Sequence, residues 1–379
     1  MTIHIVQPAL PSYRIAFFAR LQRELSKRND ELRVYASPRD QLNVESVAPT
    51  GFKASIDSTM SIHLGGRALW QTCLNVSLTR GDVLVINGNP RLLSNYPLWL
   101  RAKSLGIPVV WWGHGWSAGS HGSRSKIRQR IMRLADAVIL YTDKERDAYV
   151  HLGFAPSRTF ALNNGVDIDS IDAAVGAWNS GRLRTFRSTQ GLDTHAYWCI
   201  FLGRLSLKSR IDLLIESLPA IRPDVGLIAL GDGPLVEEAK ARVRALGICS
   251  RVVWVGAEYE ENAVAPWMLS ASALVYPGTV GLSLIHGFAY GLPGVVHADP
   301  FEQMPEYAAF ENHGNGIAFQ SQSAESLALA VNELFDDNAS RVTMAENARA
   351  LVHRTFNVND MARRFVQAID TLRLPGAAR

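Results

Sequence analysis

The sequence of 379 residues predicts an α/β protein made of two domains, each with a parallel sheet covered by helices on both faces. Short apolar runs of strand length alternate with segments of helical spacing along most of the chain. The apolar runs are continuous, which is typical of parallel strands that are buried on both faces. The chain is also longer than one core usually requires and suits two domains of about 150–200 residues each.

The first half of the chain contains the first series of strand-sized runs. They lie at residues 3–7, 32–36, 82–86, 108–112, 137–141 and 159–162. Segments with helical spacing separate them, as with Phe17, Leu21 and Leu25. We therefore predict an N-terminal Rossmann-like domain over residues 1–170.

A linker is predicted at residues 171–195, because this stretch mixes Gly, Ser, Asn, Arg and Asp and shows no strand pattern. A second alternating series follows it, which predicts another Rossmann-like domain over residues 196–356. Its strand-sized runs lie at residues 197–202, 226–230, 251–255, 272–276 and 293–296. Ligands of such sheets bind at the carboxyl ends of the strands, so we expect both domains to present loops to a cleft between them.

The C-terminal part of the chain is predicted to be helical from Ser323 onward. A final helix, at residues 357–379, has one apolar face with a spacing of three and four residues. That face is formed by Met361, Phe365, Ile369 and Leu372. No internal repeat or low-complexity tract is present.

The composition is that of a globular protein, with 47% hydrophobic and 20% charged residues. The longest apolar stretches, such as residues 107–112, are far shorter than the roughly 18 residues that a membrane span needs. The N-terminus lacks a signal-peptide pattern, and the three cysteines lack disulfide or zinc spacing. We therefore expect a cytoplasmic protein.

The positive charge is concentrated in the first half of the chain. Residues 1–170 contain 21 Lys and Arg against 13 Asp and Glu, whereas residues 171–379 contain 18 against 22, and the net charge is +4. Nucleic acid, an anionic membrane surface and a phosphorylated acceptor are the partners that a basic half suggests. Nucleic acid is not expected, because no groove-reading motif is present.

A dinucleotide cofactor is excluded by the first loop of each domain. The loop after the first strand, residues 8–14, contains no glycine, and the loop after residue 202 does not fit Gly-x-Gly-x-x-Gly. A Walker phosphate-binding loop is absent as well.

The first loop of the second domain instead contains two cations. Arg204 and Lys208 lie four residues apart, in the turn into a helix predicted at residues 208–219. Each charge-assisted bond to a phosphate oxygen contributes roughly 1.5–3 kcal/mol, so the two residues suit a diphosphate. Two solvated basic residues in a surface turn are the alternative.

Glycine-rich loops follow two further strands of the second domain. Gly231 lies in a Gly-Asp-Gly-Pro sequence, which suits either a close ligand approach or an ordinary turn. Backbone N–H groups at Gly281, Leu282 and Ser283 are predicted to form an anion site at a helix N-terminus. His286 shares a helix face with Leu282 and can reach the same ligand, or it is a core histidine bonded to a carbonyl.

In the first domain, His114 lies between two glycines at the end of the run 108–112. Catalytic groups of such folds occupy this position, although a loop histidine without a role is equally compatible with it.

An amphipathic basic helix is predicted after His114. Its basic residues are Arg124, Lys126, Arg128, Arg130 and Arg133, interleaved with Ile127, Ile131 and Leu134. Such a helix suits either reversible binding to an anionic membrane or simple solvation.

Taken together, these motifs resemble the retaining glycosyltransferases of the GT-B fold, family four. The resemblance rests on the order of Gly-Arg-Leu with Lys208, Gly-Asp-Gly-Pro, the segment 276–293 and Met304-Pro305-Glu306. It covers about residues 80–370 and implies two Rossmann-like domains with parallel sheets facing across a cleft and a terminal helix that crosses back to the first. The implied activity is transfer of a sugar from a nucleotide-diphosphate donor to a lipid-linked or polysaccharide acceptor.

The resemblance also implies roles for individual residues. Arg204 and Lys208 would hold the donor diphosphate, and Gly281, Leu282 and Ser283 would donate backbone hydrogen bonds to it. His114 would lie beside the transferred sugar as the catalytic residue, and Tyr13 and Arg14 would face the acceptor. Gly231 and His286 would contact the nucleoside or sugar of the donor. Such enzymes usually need no metal and no cofactor, and this chain has no DxD motif in a plausible place.

One departure from the family concerns donor recognition. Family members usually place two glutamates at the positions of Gly278 and His286, and both are missing here. A neutral imidazole offers one acceptor atom where a carboxylate offers two, so recognition of the ribose must differ. Glu306 is a candidate for the missing carboxylate. Because of the missing glutamates, a non-catalytic sugar-nucleotide sensor or partner subunit and a GT-B epimerase remain as alternatives.

Overall fold

The computed structural model describes residues 1–40, 44–56, 62–64, 68–71, 75–115 and 123–373. The chain divides into two compact units. Unit 1 comprises Met1–Asn164 together with the C-terminal segment from Val358, and unit 2 comprises Gly165–Asn357.

Unit 1 contains a seven-stranded parallel sheet in the order β3-β2-β1-β6-β7-β8-β9. Every residue of β7 and β8 is buried, as expected for strands covered on both faces. The strands are β1 (Thr2–Val6), β2 (Glu31–Ala36), β3 (Lys53–Ile56), β6 (Val83–Asn87), β7 (Val109–Trp112), β8 (Ala137–Leu140) and β9 (Thr159–Ala161), and β4 (Ile62–Leu64) and β5 (Ala68–Trp70) form a separate antiparallel pair. The helices are α1 (Ser12–Ser26), α2 (Asn95–Ser104), α3 (Ser123–Met132) and α4 (Asp143–His151).

Unit 2 contains a six-stranded parallel sheet in the order β12-β11-β10-β13-β14-β15. Its strands are β10 (Tyr197–Leu202), β11 (Val225–Leu230), β12 (Val252–Gly256), β13 (Ala273–Tyr276), β14 (Gly294–His297) and β15 (Gly316–Phe319). Its helices are α5 (Ile168–Gly176), α6 (Ser180–Thr189), α7 (Ile211–Ser217), α8 (Val236–Ala245), α9 (Glu261–Ser270), α10 (Leu282–Ala289), α11 (Ala324–Asp336) and α12 (Asn338–Arg354). The predicted α/β architecture with two parallel sheets is confirmed.

The linker that was predicted at residues 171–195 is not a linker. This stretch belongs to unit 2, where most of it lies in helices α5 and α6. Ile171 is buried in the core of unit 2, and the ring of Phe186 lies 4.9 Å from that of Trp267. The absence of a strand pattern therefore marked helices, and the chain passes between units at residues 164–165.

The last helix, α13 (Val358–Thr371), belongs to unit 1. Its apolar face packs on α1, with the ring of Phe365 6.2 Å from Phe17 and 6.1 Å from Trp112. Burial of this face follows from the spacing of Met361, Phe365 and Ile369 on one side of the helix.

Some strands were not predicted from the sequence, namely β3, β15 and the pair β4 and β5. β3 and β15 are short edge strands, and β3 alternates between exposed and half-buried residues. For β3, a single partner strand and partial exposure remove the need for a continuous apolar run. β15, in contrast, is a four-residue strand that is apolar and mostly buried.

In each sheet, the strands that follow the first strand are added on one side of it, and the later strands are added on its other side. In unit 1 the switch point between the two sides lies between β1 and β6, and in unit 2 it lies between β10 and β13. Loops at the carboxyl ends of the strands diverge there and leave room for a ligand. In unit 2 the candidate residues lie in the loops after β10 and β13, which border the switch point. In unit 1 they follow β1, which borders the switch point, and β7, which lies one strand beyond β6.

Candidate active site

In unit 2, the loops that follow β10 and β13 are packed directly on each other. The Thr279 N–H donates a hydrogen bond of 2.9 Å to the Lys208 carbonyl oxygen. A Cβ atom added at Gly278 would lie 2.0 Å from the same oxygen. Position 278 therefore has no room for a side chain, which gives a physical reason for the absence of a carboxylate there.

Arg204 and Lys208 both lie in this loop with exposed side chains. The helix predicted from residue 208 begins later, at Ile211, so Lys208 lies in the preceding turn. Neither cation forms an ion pair with any residue that the structure describes. Gly203 has φ +148°, and a Cβ added to it would lie 3.5 Å from Ser283 Oγ, so Arg204 begins beside the N-terminus of α10.

The N-terminus of α10 is the predicted anion site. Gly281 is the N-cap residue of this helix, and Leu282 and Ser283 are its first two residues. Because the N-cap residue is a glycine, no side chain caps the first backbone N–H groups. The buried carboxylate of Glu306 is close by, since its Oε2 would lie 3.7 Å from a Cβ added at Gly281. The structure thus brings Glu306 to the same helix end, where the helix dipole favours a negative charge.

His286 is paired with a residue that the sequence analysis missed. Its Nε2 lies 3.0 Å from Glu261 Oε1, and the Tyr290 hydroxyl donates a 2.5 Å hydrogen bond to the same oxygen. Burial opposes ionisation of Glu261, but these hydrogen bonds outweigh it and lower its pKa. His286 is therefore not a core histidine bonded to a carbonyl.

The sequence analysis did not identify Glu261, because it lies on α9, 25 residues before His286, and no local spacing connects the two residues. The acidic residues Glu258, Glu260 and Glu261 after the strand at 251–255 were the available signal.

Gly231 is required to be glycine by packing, because an added Cβ would lie 1.8 Å from the Gly203 carbonyl oxygen.

In unit 1, the loop that contains His114 is held by a buried carboxylate. Glu145 is completely buried on α4 and accepts hydrogen bonds from the backbone N–H groups of Gly115, at 2.9 Å, and Tyr141, at 3.0 Å. The Gly115 carbonyl oxygen accepts hydrogen bonds from the Tyr149 hydroxyl and from Arg128. These contacts fix the backbone on the C-terminal side of His114.

His114 is neutral at physiological pH. Burial, followed by the positive charges of Arg14 and Arg128, lowers its pKa from 6.5 to about 4. The imidazole packs on Tyr141 with a distance of 4.2 Å between ring centroids. His114 can therefore donate or accept a hydrogen bond, but it does not serve as a charged acid at neutral pH.

Arg14 and Tyr13, which the sequence placed near the acceptor, lie in the first turn of α1. The Arg14 guanidinium lies over the rings of Trp112, at 5.1 Å, and Tyr141, at 5.6 Å. Arg14 and His114 therefore meet around Tyr141, whereas the Tyr13 side chain is mostly exposed.

The basic helix predicted after His114 is α3, but it ends at Met132, so Arg133 and Leu134 lie just beyond it. The cations of this segment do not share one role. Arg128 donates to the Gly115 carbonyl, and Arg133 donates to the carbonyl oxygens of Leu152 and Gly153. Lys126 and Arg130 are exposed, together with Ile127 and Leu134. The side chain of Arg124 lies outside the described residues.

None of the helices in the described part of the chain has the length and apolar character needed to cross a bilayer. The same residues contain no cluster of three His, Cys, Asp or Glu side chains with the spacing of a metal site.

Two family descriptions match the chain. "Glycosyltransferase Family 4" matches residues 16–170, and "Glycosyl transferases group 1" matches residues 184–351. Together they span more than half of the chain and correspond to its two Rossmann-like units. The chain belongs to the GT-B glycosyltransferases of family four.

Among curated relatives, the chain is similar to the D-inositol 3-phosphate glycosyltransferase of Xylanimonas cellulosilytica, with 24% identity over 281 residues. This alignment covers 69% of the chain and 66% of the relative. In fold, the chain is similar to HepE from Anabaena in complex with UDP, with a TM-score of 0.71, 16% identity and coverage of 98% of this chain and 99% of that one. It is also similar to the lipopolysaccharide outer core galactosyltransferase WaaB, with a TM-score of 0.61, 15% identity and coverage of 98% and 100%.

The low pKa of His114 can be measured directly. In an NMR titration of the histidine ring protons, we expect the His114 signal to have a midpoint near pH 4. Because Arg14 and Arg128 disfavour the protonated ring, Arg14→Gln should move the midpoint upward by about half a unit or more. The His114→Gln variant identifies the signal, because only that resonance is lost. A midpoint near 6.5 would contradict the burial and the positive surroundings of the ring.

Proposed function

We propose that the protein transfers a sugar from a nucleoside-diphosphate donor to a lipid-linked or glycan acceptor, with retention of the anomeric configuration. The observation that carries this proposal is the pair of exposed cations, Arg204 and Lys208, beside the N-terminus of α10 at the switch point of the unit 2 sheet. Binding of UDP by HepE supports the donor class. The activity of WaaB on lipopolysaccharide supports a role in cell-surface polysaccharide synthesis. Retention is inferred from family membership.

The leaving nucleoside diphosphate carries the negative charge that must be stabilised. Arg204 and Lys208 lie in a loop whose backbone is fixed on the β13–α10 loop, so they are positioned before the donor binds. Preorganised positive charge stabilises the developing charge more effectively than solvent does. We propose that these cations and the helix N-terminus fulfil this role without a metal ion or another cofactor.

His114 is proposed to act beside the transferred sugar as a neutral hydrogen-bonding group. Its neutral ring can accept a hydrogen bond from a sugar hydroxyl at one nitrogen and donate one from the other. Since Glu145 fixes the backbone of Gly115 and Tyr141, the ring has a defined position from which to orient the substrate.

Glu261 is proposed to take part in recognition of the donor nucleoside. Both described hydrogen bonds to its carboxylate reach the same atom, Oε1, and its side chain is 23% exposed. His286, which orients it, lies four residues along α10 from Leu282, roughly 6 Å at 1.5 Å per residue. This spacing matches the distance from a diphosphate to the hydroxyls of its ribose. The carboxylate thereby replaces the acceptor atoms missing at residue 286.

Donor binding tests the first part of this proposal. A thermal-shift screen with UDP-, GDP-, dTDP- and ADP-sugars should identify a donor that raises the melting temperature. Arg204→Ala combined with Lys208→Ala should weaken binding of that donor about 100-fold or more, because two charge-assisted bonds are lost.

The matched control is Lys240→Ala combined with Arg244→Ala, which removes the same charge from α8 and should leave donor binding unchanged. A loss of less than about threefold in the Arg204 and Lys208 double variant would show that these cations do not hold the donor. Turnover is followed as nucleotide release with lipid acceptors, and it should depend on His114. Binding of the donor without turnover would favour a sensor.

Recognition of the ribose tests Glu261. Glu261→Gln should weaken binding of the selected nucleoside diphosphate by about tenfold, since a charged acceptor of hydroxyl hydrogen bonds is lost. Binding of the 2′,3′-dideoxy analogue should change little, because it lacks those hydroxyls. Glu260→Gln, an exposed neighbour, is the control. Equal loss for both nucleotides would place Glu261 away from the ribose.

We further propose that α3 contacts an anionic membrane surface. The exposed side chains of α3 and of the segment just after it combine positive charge with apolar surface, at Lys126, Ile127, Arg130 and Leu134. Each cation near such a surface contributes about 1 kcal/mol, so binding would be weak and reversible. Arg128 and Arg133 are engaged within unit 1 and are not needed for this contact.

Vesicle sedimentation tests this surface. We expect binding to phosphatidylglycerol-containing vesicles that weakens with salt, and no binding to phosphatidylcholine alone. Lys126→Glu combined with Arg130→Glu should lower the partition constant at least about tenfold. Lys240→Glu combined with Arg244→Glu on α8 is the charge-matched control. If both variants bind equally well, α3 is not the membrane contact.

A further inference from the structure

The buried ring of His114 lies in a positively charged environment. Arg14 and Arg128 both act on the His114 ring, one from α1 and the other from α3. The Arg14 side chain forms no ion pair with a described residue and donates no hydrogen bond to one, although Arg14 is half-buried and its guanidinium lies over the rings of Trp112 and Tyr141. The Tyr13 ring lies 5.6 Å from the same guanidinium, so three aromatic rings contact this charge and none of them neutralises it.

The acidic residues that follow Tyr141 are already engaged by other groups. Both oxygens of Glu145 accept backbone hydrogen bonds, from Gly115 and Tyr141. Asp143 accepts hydrogen bonds from Arg364 at 2.9 Å and from Asn163 at 2.6 Å. The sequence that follows Gly115, residues 116–122, contains no Asp or Glu. Unit 1 therefore does not direct an acidic side chain from these segments to Arg14.

The position of Arg14 on α1 adds to this positive charge. It lies in the first turn of the helix, where the helix dipole is positive and a cation is unfavourable. The same turn contains no acidic residue, and its N-cap is Pro11, which provides no side-chain cap. A negatively charged ligand near Arg14 would offset the unfavourable interaction of this cation with the helix dipole.

We propose that the acceptor carries a phosphate group and that Arg14, with Arg128, binds this group beside His114. The inference rests on the proposed transfer reaction and names the chemical class of its acceptor, a phosphorylated glycan or a lipid-linked phosphate. A guanidinium presents paired N–H donors that match two phosphate oxygens. The aromatic rings hold Arg14 in place before binding, which lowers the entropy lost on complex formation.

Both the donor and the acceptor can supply phosphate, so the experiment has to separate them. His114 provides a local readout, since an anion bound near Arg14 offsets the positive charge that lowers its pKa. The NMR titration of His114 is repeated in millimolar inorganic phosphate and in chloride of equal ionic strength. We expect phosphate to raise the midpoint by about half a unit or more, saturably.

Three variants and one bound ligand show which residues cause the response of the His114 pKa to phosphate. Arg14→Gln should abolish the response to phosphate, and Arg14→Lys should restore part of it. Arg204→Ala with Lys208→Ala should leave the response intact, because these residues belong to unit 2. The wild-type protein saturated with the nucleoside diphosphate selected in the donor screen should still respond to phosphate.

Absence of a phosphate response in the wild type, or an unchanged response in Arg14→Gln, would overturn the inference. Loss of the response on saturation with the nucleoside diphosphate would also overturn it, because the positive charge would then serve the donor. Failure of every nucleoside diphosphate to bind would count against the proposed transfer reaction itself. That result is distinct from the His114 readout, which needs no donor.

Discussion

The proposed donor site of unit 2 depends on the contact between the loop after β10 and the loop after β13. The hydrogen bond from Thr279 to the Lys208 carbonyl and the absence of a side chain at Gly278 bring these loops together. The contact fixes the backbone from which Arg204 and Lys208 extend and sets it beside the first turn of α10. Without it, two flexible cations would lose side-chain and backbone entropy on binding a diphosphate. Gly278 is thus required for the close packing of the two loops that carry Arg204, Lys208 and the N-terminus of α10.

Both units use a buried or half-buried carboxylate to orient a histidine or its loop, but in different ways. In unit 1, Glu145 binds backbone N–H groups and leaves the His114 ring neutral between two arginines. In unit 2, Glu261 bonds directly to the ring of His286, and that ring orients the carboxylate in turn. The first arrangement favours a neutral hydrogen-bonding group and a nearby anion. The second leaves a half-buried carboxylate with one oxygen bonded to His286 and Tyr290, which we propose binds ribose hydroxyl groups.

Predictions of single strands and helices from the sequence were correct where neighbouring residues alone determine the element. The strand-sized runs became strands, because a strand buried on both faces must be apolar throughout. The final helix showed its buried face by the spacing of Met361, Phe365 and Ile369. Residues 171–195 failed as a linker because polar residues on exposed helix faces resemble those of a loop. The edge strand β3 was missed for the opposite reason, since a half-exposed strand with one partner demands little hydrophobicity.

The sequence by itself determined the two α/β units, the family and the identity of the loops that carry Arg14, His114, Arg204 and Lys208. Each of these signals lies within a few neighbouring residues, where strand and helix periodicity and loop composition are visible. Only the tertiary structure decided that Glu261 meets His286 and Tyr290, that Lys208 leaves no room at Gly278, and that Arg128 turns toward Gly115. These contacts join residues from separate helices and loops. Packing of the whole unit sets their distances, and no local spacing in the chain encodes them.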